Sequence, residues 1–171
     1  MSEAKFGEEF ITHEFDEAIV VQQAIVDGAT SLSTSHTRST SRRLIKGMLA
    51  DEEAYLKTLK KFGKQHDATG KVEGVQKALK DLMTETAGSA GEAASESYEA
   101  QAVLINLKRK QQDSAGAVLK IARELGDTEL RDAALEMQKG VKASAQELAD
   151  DLALFAVEIA TKQPATAGAS R

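Results

Sequence analysis

Apolar residues recur along most of this chain at alternating steps of three and four, the spacing of residues on one face of an α-helix. The pattern predicts a short amphipathic helix near residues 72–86 and four long helices, at about residues 7–33, 37–65, 92–125 and 129–161. Glycines and the Gly126-Asp127-Thr128 run mark helix ends. We therefore predict an all-α, up-and-down four-helix bundle with the short extra helix between helices 2 and 3.

Three of the predicted long helices carry a polar residue on the apolar face. Helix 1 has Gln22, helix 2 has Glu52 and helix 3 has Gln111. Glu52 is the unusual one, because a carboxylate seldom lies in a core unless it is paired. We expect Gln22, Glu52, Tyr55 and Gln111 to meet in the bundle centre as a hydrogen-bond network that fixes the helix register.

Length and composition narrow the classes of protein. The chain has 171 residues, which fits one domain over residues 1–162, followed by a small, polar and disordered tail at 163–171. It has no cysteine, which excludes disulfides and thiolate chemistry, and its net charge of −5 gives no footprint for nucleic acid. The N-terminus has no apolar signal region and the longest apolar run is too short to span a membrane, so we expect a cytoplasmic protein.

A family resemblance lies in the acidic part of helix 2. The run from Met48 to Leu56, Met-Leu-Ala-Asp-Glu-Glu-Ala-Tyr-Leu, resembles helix 2 of ferritin-like proteins, in particular the rubrerythrin-like four-helix bundles. Residues 125–130 look like the loop before their last helix, and residues 96–100 look like the start of their third. The resemblance extends over about residues 8–162 as pattern and architecture more than identity, and it implies a bundle built around a di-iron centre.

The chain departs from the family at the ligand positions. Such a centre takes a Glu from each of two helices and Glu-x-x-His from each of the other two. Here Tyr55 stands where the His after Glu52 would be, Gln22 and Gln111 carry no charge, and helix 4 has no Glu-x-x-His. We therefore interpret the resemblance as a ferritin-like bundle with a degenerate di-iron site and no cofactor. On this interpretation the protein is not an enzyme, and Glu52→Gln leaves the fold nearly unchanged.

The alternative is an iron-binding or ferroxidase-type protein whose site is completed between subunits. Its candidate metal ligands are Glu52 in the core and, on helices 1 and 3, His13, Glu17, Glu96 and Glu99. His13 and Glu17 are four residues apart on one helix face, a spacing that can hold a metal but that also suits a solvated face with salt bridges.

The interpretation without a metal leaves a structural or protein-interaction role, through self-association as a homo-oligomer or with a protein partner. Small residues on outer helix surfaces would permit close packing against another subunit; these are Gly47, Gly74, Gly116 and Gly140. Helix 2 also has a basic outer face that could meet acidic side chains of helix 4 in a subunit contact. Surface solubility explains the same charges equally simply.

Overall fold

The structure is a computed structural model that describes residues 7–88 and 93–162. These two ranges contain five α-helices and no strand, which confirms the all-α prediction. The helices are α1 (Glu8–Ser35), α2 (Ser39–Gly63), α3 (Glu73–Gly88), α4 (Ala93–Leu125) and α5 (Thr128–Thr161), with a 3₁₀ turn at Lys64–His66. The tail predicted at 163–171 lies outside the described residues.

The turn between α1 and α2 lies two residues later than predicted. The predicted helices leave residues 34–36 between them, but α1 continues to Ser35 and residues 36–38 connect it to α2. The hydroxyl groups bond back to carbonyl oxygens of the preceding helical turn, as Thr30 does to Val26 (2.7 Å) and Ser35 to Ser31 (2.9 Å). The hydrogen bonds of these hydroxyl groups are therefore satisfied within the helix, so the Ser/Thr-rich run from Thr30 to Ser35 does not end it.

The turn between α4 and α5 has the geometry that its sequence predicts. Gly126 adopts a left-handed backbone with φ of 70°, and the Asp127 N–H donates to the Ala122 carbonyl at 2.9 Å. The Asp127 carboxylate then accepts from the Leu130 N–H, also at 2.9 Å, and so caps the start of α5.

Contacts between helices define how the bundle is connected. The Thr37 N–H, just after α1, donates to Ser97 Oγ near the start of α4, and Glu17 near the start of α1 pairs with Lys110 in α4. These contacts make α1 and α4 antiparallel neighbours. Because α1 is also antiparallel to α2 across the short turn, α2 and α4 run in the same direction. The segment between them therefore crosses the length of the bundle. The up-and-down connection that we predicted would have placed α2 and α4 antiparallel, so that part of the prediction is not confirmed.

The crossing segment is attached to the side of α1. Asp16 accepts hydrogen bonds from the Thr69 and Gly70 N–H groups at 2.6 and 2.7 Å. Gly70 has φ of 70° and a side chain there would run into Ile19, so this position suits glycine alone. From this anchor α3 lies along α1 and α4, with Val75 packed against their apolar side chains.

The core is aliphatic and follows the predicted faces. The residues that the helical spacing places inward on α1 are all buried, namely Ile11, Phe15, Ala18, Gln22, Ile25, Ala29 and Leu32. On α5 the same spacing runs from Leu130 to Ile159, and all of its residues are buried except Leu152 and Ile159, which are half-buried. Leu125 is predicted inward but is 52% exposed, because it lies at the end of α4 where the chain already turns. None of the helices in the described ranges combines the length and apolarity that a membrane span requires.

Candidate functional site

The centre of the bundle holds a buried ion pair. Glu52 of α2 is 1% exposed, and its Oε1 accepts from the ammonium of Lys108, a fully buried residue of α4. The other carboxylate oxygen accepts from Gln22 Nε2 of α1 at 2.8 Å, and the same amide donates to the Glu52 carbonyl at 3.0 Å. Three helices therefore meet through one carboxylate, one ammonium and one amide.

The opposite charges of Glu52 and Lys108 stabilise each other in an apolar core, where an isolated ion would be unfavourable. Burial lowers the pKa of the Lys108 ammonium, and the adjacent Glu52 carboxylate opposes that shift. A buried pair of this kind adds little net stability over apolar residues, but removing one partner leaves an uncompensated charge in the core. The side chains of Glu52 and Lys108 thus depend on each other.

The pair with Lys108 changes two expectations from the sequence. Glu52→Gln is no longer expected to be silent, because Lys108 would lose its counter-charge. The predicted four-residue network is also smaller than expected. Gln111 donates to Met137 Sδ at 3.8 Å, and Tyr55 reaches across to Gly140 of α5 instead of joining Glu52.

Lys108 is the central residue that sequence reasoning missed. The apolar face predicted for this helix runs through Leu104, Leu107 and Gln111 and leaves out the lysine between them. The steps from Gln101 through Leu104 to Lys108 and Gln111 are nevertheless three, four and three, so Lys108 occupies a core position of the same heptad. A lysine at such a core position, on a helix that faces Glu52, is the sequence feature from which this ion pair could have been predicted.

The candidate metal ligands do not converge. Glu17 pairs with Lys110 at 2.9 Å near the start of α1, close to His13. Glu96 and Glu99 are exposed near the start of α4, which lies at the opposite end of the bundle. Among the side chains that the structure describes, those of residues 7–79, 81 and 94–162, no three His, Cys, Asp or Glu lie close enough together to hold a metal ion.

The central residues also do not fit the di-iron centre that the family resemblance implies. That centre needs four carboxylates and two imidazoles, whereas this core offers one carboxylate surrounded by an ammonium and amides. The Lys108 ammonium already neutralises Glu52. A metal ion bound there would have to displace Lys108 and leave a second positive charge buried beside it.

A second polar cluster lies where α2 begins, at the end of the bundle. The Arg38 guanidinium pairs with Asp151 and, at 2.9 Å, with Glu158 of α5. The second oxygen of Asp151 accepts from Ser41 Oγ at 2.6 Å and from Gln101 Nε2 at 3.1 Å. Burial raises the pKa of Asp151, but hydrogen bonds from Ser41, Gln101 and Arg38 outweigh it, so the pKa is held below 3.8. The acidic side chain we considered for a subunit contact is therefore engaged within the chain.

His36 lies beside this cluster and is completely buried. Its Nδ1 accepts from the Arg38 N–H at 3.0 Å, and its ring packs against Phe155 with the centroids 5.2 Å apart. Burial lowers the pKa of His36 and outweighs the opposing effects of Gln101 and Asp151. His36 lies in the turn between α1 and α2, and no local pattern in the sequence predicts that this turn is covered by α4 and α5.

Glu52, Lys108 and His36 are closed off from solvent, whereas Glu158 of the end cluster is half-exposed. The arrangement is that of a helical bundle with polar contacts that fix helix positions. Comparisons of the chain with protein-family models, curated proteins and solved structures give no match.

Proposed function

We propose that this chain is a non-catalytic, ferritin-like helical bundle that has a structural or protein-interaction role and acts by self-association. The observation that carries the proposal is the buried pair of Glu52 and Lys108. It replaces the charge balance that a metal ion would supply to a carboxylate at the centre of such a bundle. The centre then serves to hold three helices in register, and the surface is left to carry the function.

The connection of the helices supports the ferritin-like part of the proposal. Four long helices with a single long crossover between the second and the third occur in ferritin-like folds. In this chain the crossover is the segment between α2 and α4, which is anchored to α1 through Asp16. Chain connection alone does not assign the family, so the degenerate centre remains the main argument.

Exposed apolar side chains on α5 are the best surface for self-association. Leu154 is 60% exposed and Val157 is 59% exposed, and they are three residues apart on one helix face. The flanking Ala153 and Ala160 are also exposed. An apolar face of this kind gains stability when it packs against a second copy.

The glycines that we had assigned to a subunit contact divide into two groups. Gly47 and Gly74 have open space around them, as an outer surface requires. Gly116 and Gly140 do not serve that purpose, because a side chain at Gly116 would meet Gln138 and one at Gly140 would collide with Tyr55. These two glycines accommodate neighbours within the same chain, which corrects the prediction.

The mass of the protein in solution tests the proposal. Light scattering behind size exclusion is expected to show a mass above 18.3 kDa that rises with concentration. Leu154→Lys on the apolar face should return the protein to monomer, whereas Leu125→Lys, an exposed leucine at the other end of the bundle, should not. A monomer at every concentration would refute self-association.

An iron assay tests the non-catalytic part separately. Fe(II) added under air to the purified protein is expected to oxidise no faster than in protein-free buffer, and no iron should co-elute with the protein. Oxidation above that background would favour the alternative site between subunits. A fall in oxidation on Glu99→Gln, with no fall on Glu124→Gln, would then assign the ligand.

A further inference from the structure

The turn between α1 and α2 is attached to the bundle through a neutral histidine. His36 Nδ1 accepts the Arg38 N–H, and Arg38 is the residue that precedes the first turn of α2. The ring is fully buried against Phe155 of α5. Because Nδ1 accepts a hydrogen bond, the ring proton must be on Nε2. This neutral tautomer preserves the hydrogen bond to the turn, while its Nε2–H is buried with no hydrogen-bond partner among the described residues.

We propose that the α1–α2 turn is a proton-operated latch, in which protonation of the His36 ring releases the start of α2 from α4 and α5. The proton comes from solvent and adds to the lone pair of Nδ1. That lone pair can then no longer accept from the Arg38 N–H, so two N–H groups face each other in a buried space. The resulting positive charge on the ring has no counter-ion in hydrogen-bond contact.

The groups around His36 explain why the charged ring is poorly accommodated. From α2, the guanidiniums of Arg38 and Arg42 are like charges, and Arg42 donates to the His36 carbonyl. From α4, Gln101 and Ser97 contribute no charge. The last turn of α1 contributes only hydroxyls and aliphatic side chains.

The carboxylates of α5 are the groups that could compensate, and both are engaged. Asp151 is committed to Arg38 on one oxygen and to Ser41 and Gln101 on the other. Glu158 binds Arg38 from a half-exposed position. The negative charge of Asp151 therefore partly offsets the positive charge of the protonated ring. Its carboxylate cannot accept a hydrogen bond from the new Nδ1–H without giving up an existing partner.

The direction of the pH effect follows from the same contacts. Burial keeps the pKa of His36 in the folded protein below its ordinary value of 6.5. The unfolded or released state therefore binds the proton more readily, so closure of the latch weakens as the pH falls below 6.5. The protection of the turn should fall by up to about tenfold per pH unit, the limit for a single proton.

Amide exchange followed by NMR tests the latch in the full chain. The protection factors of the Thr37 and Arg38 amides are expected to fall between about pH 7.5 and pH 5. The Leu130 amide, which Asp127 caps without a histidine, should keep its protection over the same range. A parallel change at both ends of the bundle would mean general acid loosening, and it would overturn the proposal.

The variant His36→Asn tests whether protonation of the ring, and not the hydrogen bond to the Arg38 N–H alone, controls the turn. In His36→Asn the side-chain oxygen can accept the N–H two residues later, as asparagine does in turns, but it does not titrate. Its turn protection should be independent of pH in this range. His66→Asn, at the far end of α2, should behave like the parent. Should His36→Asn not fold, the ring-nitrogen chemical shifts of the parent decide: a neutral ring with an open turn at pH 5 refutes the latch.

Discussion

Two polar clusters hold this bundle together, and they are built in different ways. At the centre, one ammonium and one amide serve one carboxylate, and the pair is sealed from solvent. At the end, two carboxylates share a guanidinium, a hydroxyl and an amide, and part of the cluster reaches water. In the central cluster, a group that loses its partner has no second charged partner to replace it. In the end cluster other polar groups can replace a lost partner, and water can supply further hydrogen bonds.

Removing one partner of the central pair should have the largest effect on stability. Lys108→Met is expected to lower the free energy of unfolding by about 3–5 kcal/mol, because Glu52 is left in the core without its counter-charge and with only Gln22 as a side-chain donor. Urea unfolding followed by circular dichroism measures the loss.

Two controls make this result specific to the buried pair. Lys110→Met removes the surface pair with Glu17 two residues further along α4, and it should cost at most about 1 kcal/mol. The double variant of Glu52→Leu with Lys108→Met should recover much of the loss, since it leaves no charge behind. Equal losses for Lys108→Met and Lys110→Met would contradict the contrast between buried and exposed pairs.

The packing beside the centre should be the next most sensitive feature. Gly140→Ala places a methyl group against the Tyr55 hydroxyl, which must move, so we expect a loss of about 1–3 kcal/mol. Gly47→Ala is the matched change on α2, where nothing lies within 4 Å, and it should stabilise the helix by about 0.5–1 kcal/mol. If Gly140→Ala leaves the thermal unfolding temperature unchanged, the Tyr55 side chain can move away from α5 without loss of stability.

The end cluster should tolerate the loss of a charge better than the centre. Asp151→Asn keeps an oxygen that can accept from Ser41, so we expect a loss of about 1–2 kcal/mol. Glu158→Gln, whose side chain is 51% exposed, should cost less than about 1 kcal/mol. If Asp151→Asn proves as costly in urea unfolding as Lys108→Met, the two clusters do not differ in redundancy.

The smallest effect we expect is a change in acid sensitivity. The pKa of Asp151 in the folded protein is held below its ordinary 3.8, so its contribution to stability is present above that value. It is lost as the pH falls through the folded pKa. Asp151→Asn should therefore flatten the fall in stability below about pH 4, by less than about 1 kcal/mol. An unchanged slope in thermal unfolding would exclude this contribution.

The helices and most of the core could be predicted because they depend on local spacing. The inward faces of α1 and α5 follow from apolar residues at steps of three and four, and the Gly126-Asp127 turn follows from residues within one helical turn. Glu52 was also found in this way, since a carboxylate interrupts an otherwise apolar face.

The partners of the buried charges could not be read from one helix at a time. Lys108 lies 56 positions after Glu52, and Asp151 lies 113 positions after Arg38. A lysine at a core position looks like a surface residue until the facing carboxylate is known, because long basic side chains usually reach solvent. The direction of α4 relative to α2 has the same origin, since it depends on how the crossing segment packs.

The central pair also constrains how this sequence can diverge. A single change at Glu52 or Lys108 leaves a buried charge without its partner and destabilises the fold. Either position is therefore expected to change only when the other changes as well. In homologous chains we expect positions 52 and 108 to vary together, as an acid with a base or as two apolar residues. A carboxylate at both positions would mark a homologue in which a cation occupies the bundle centre.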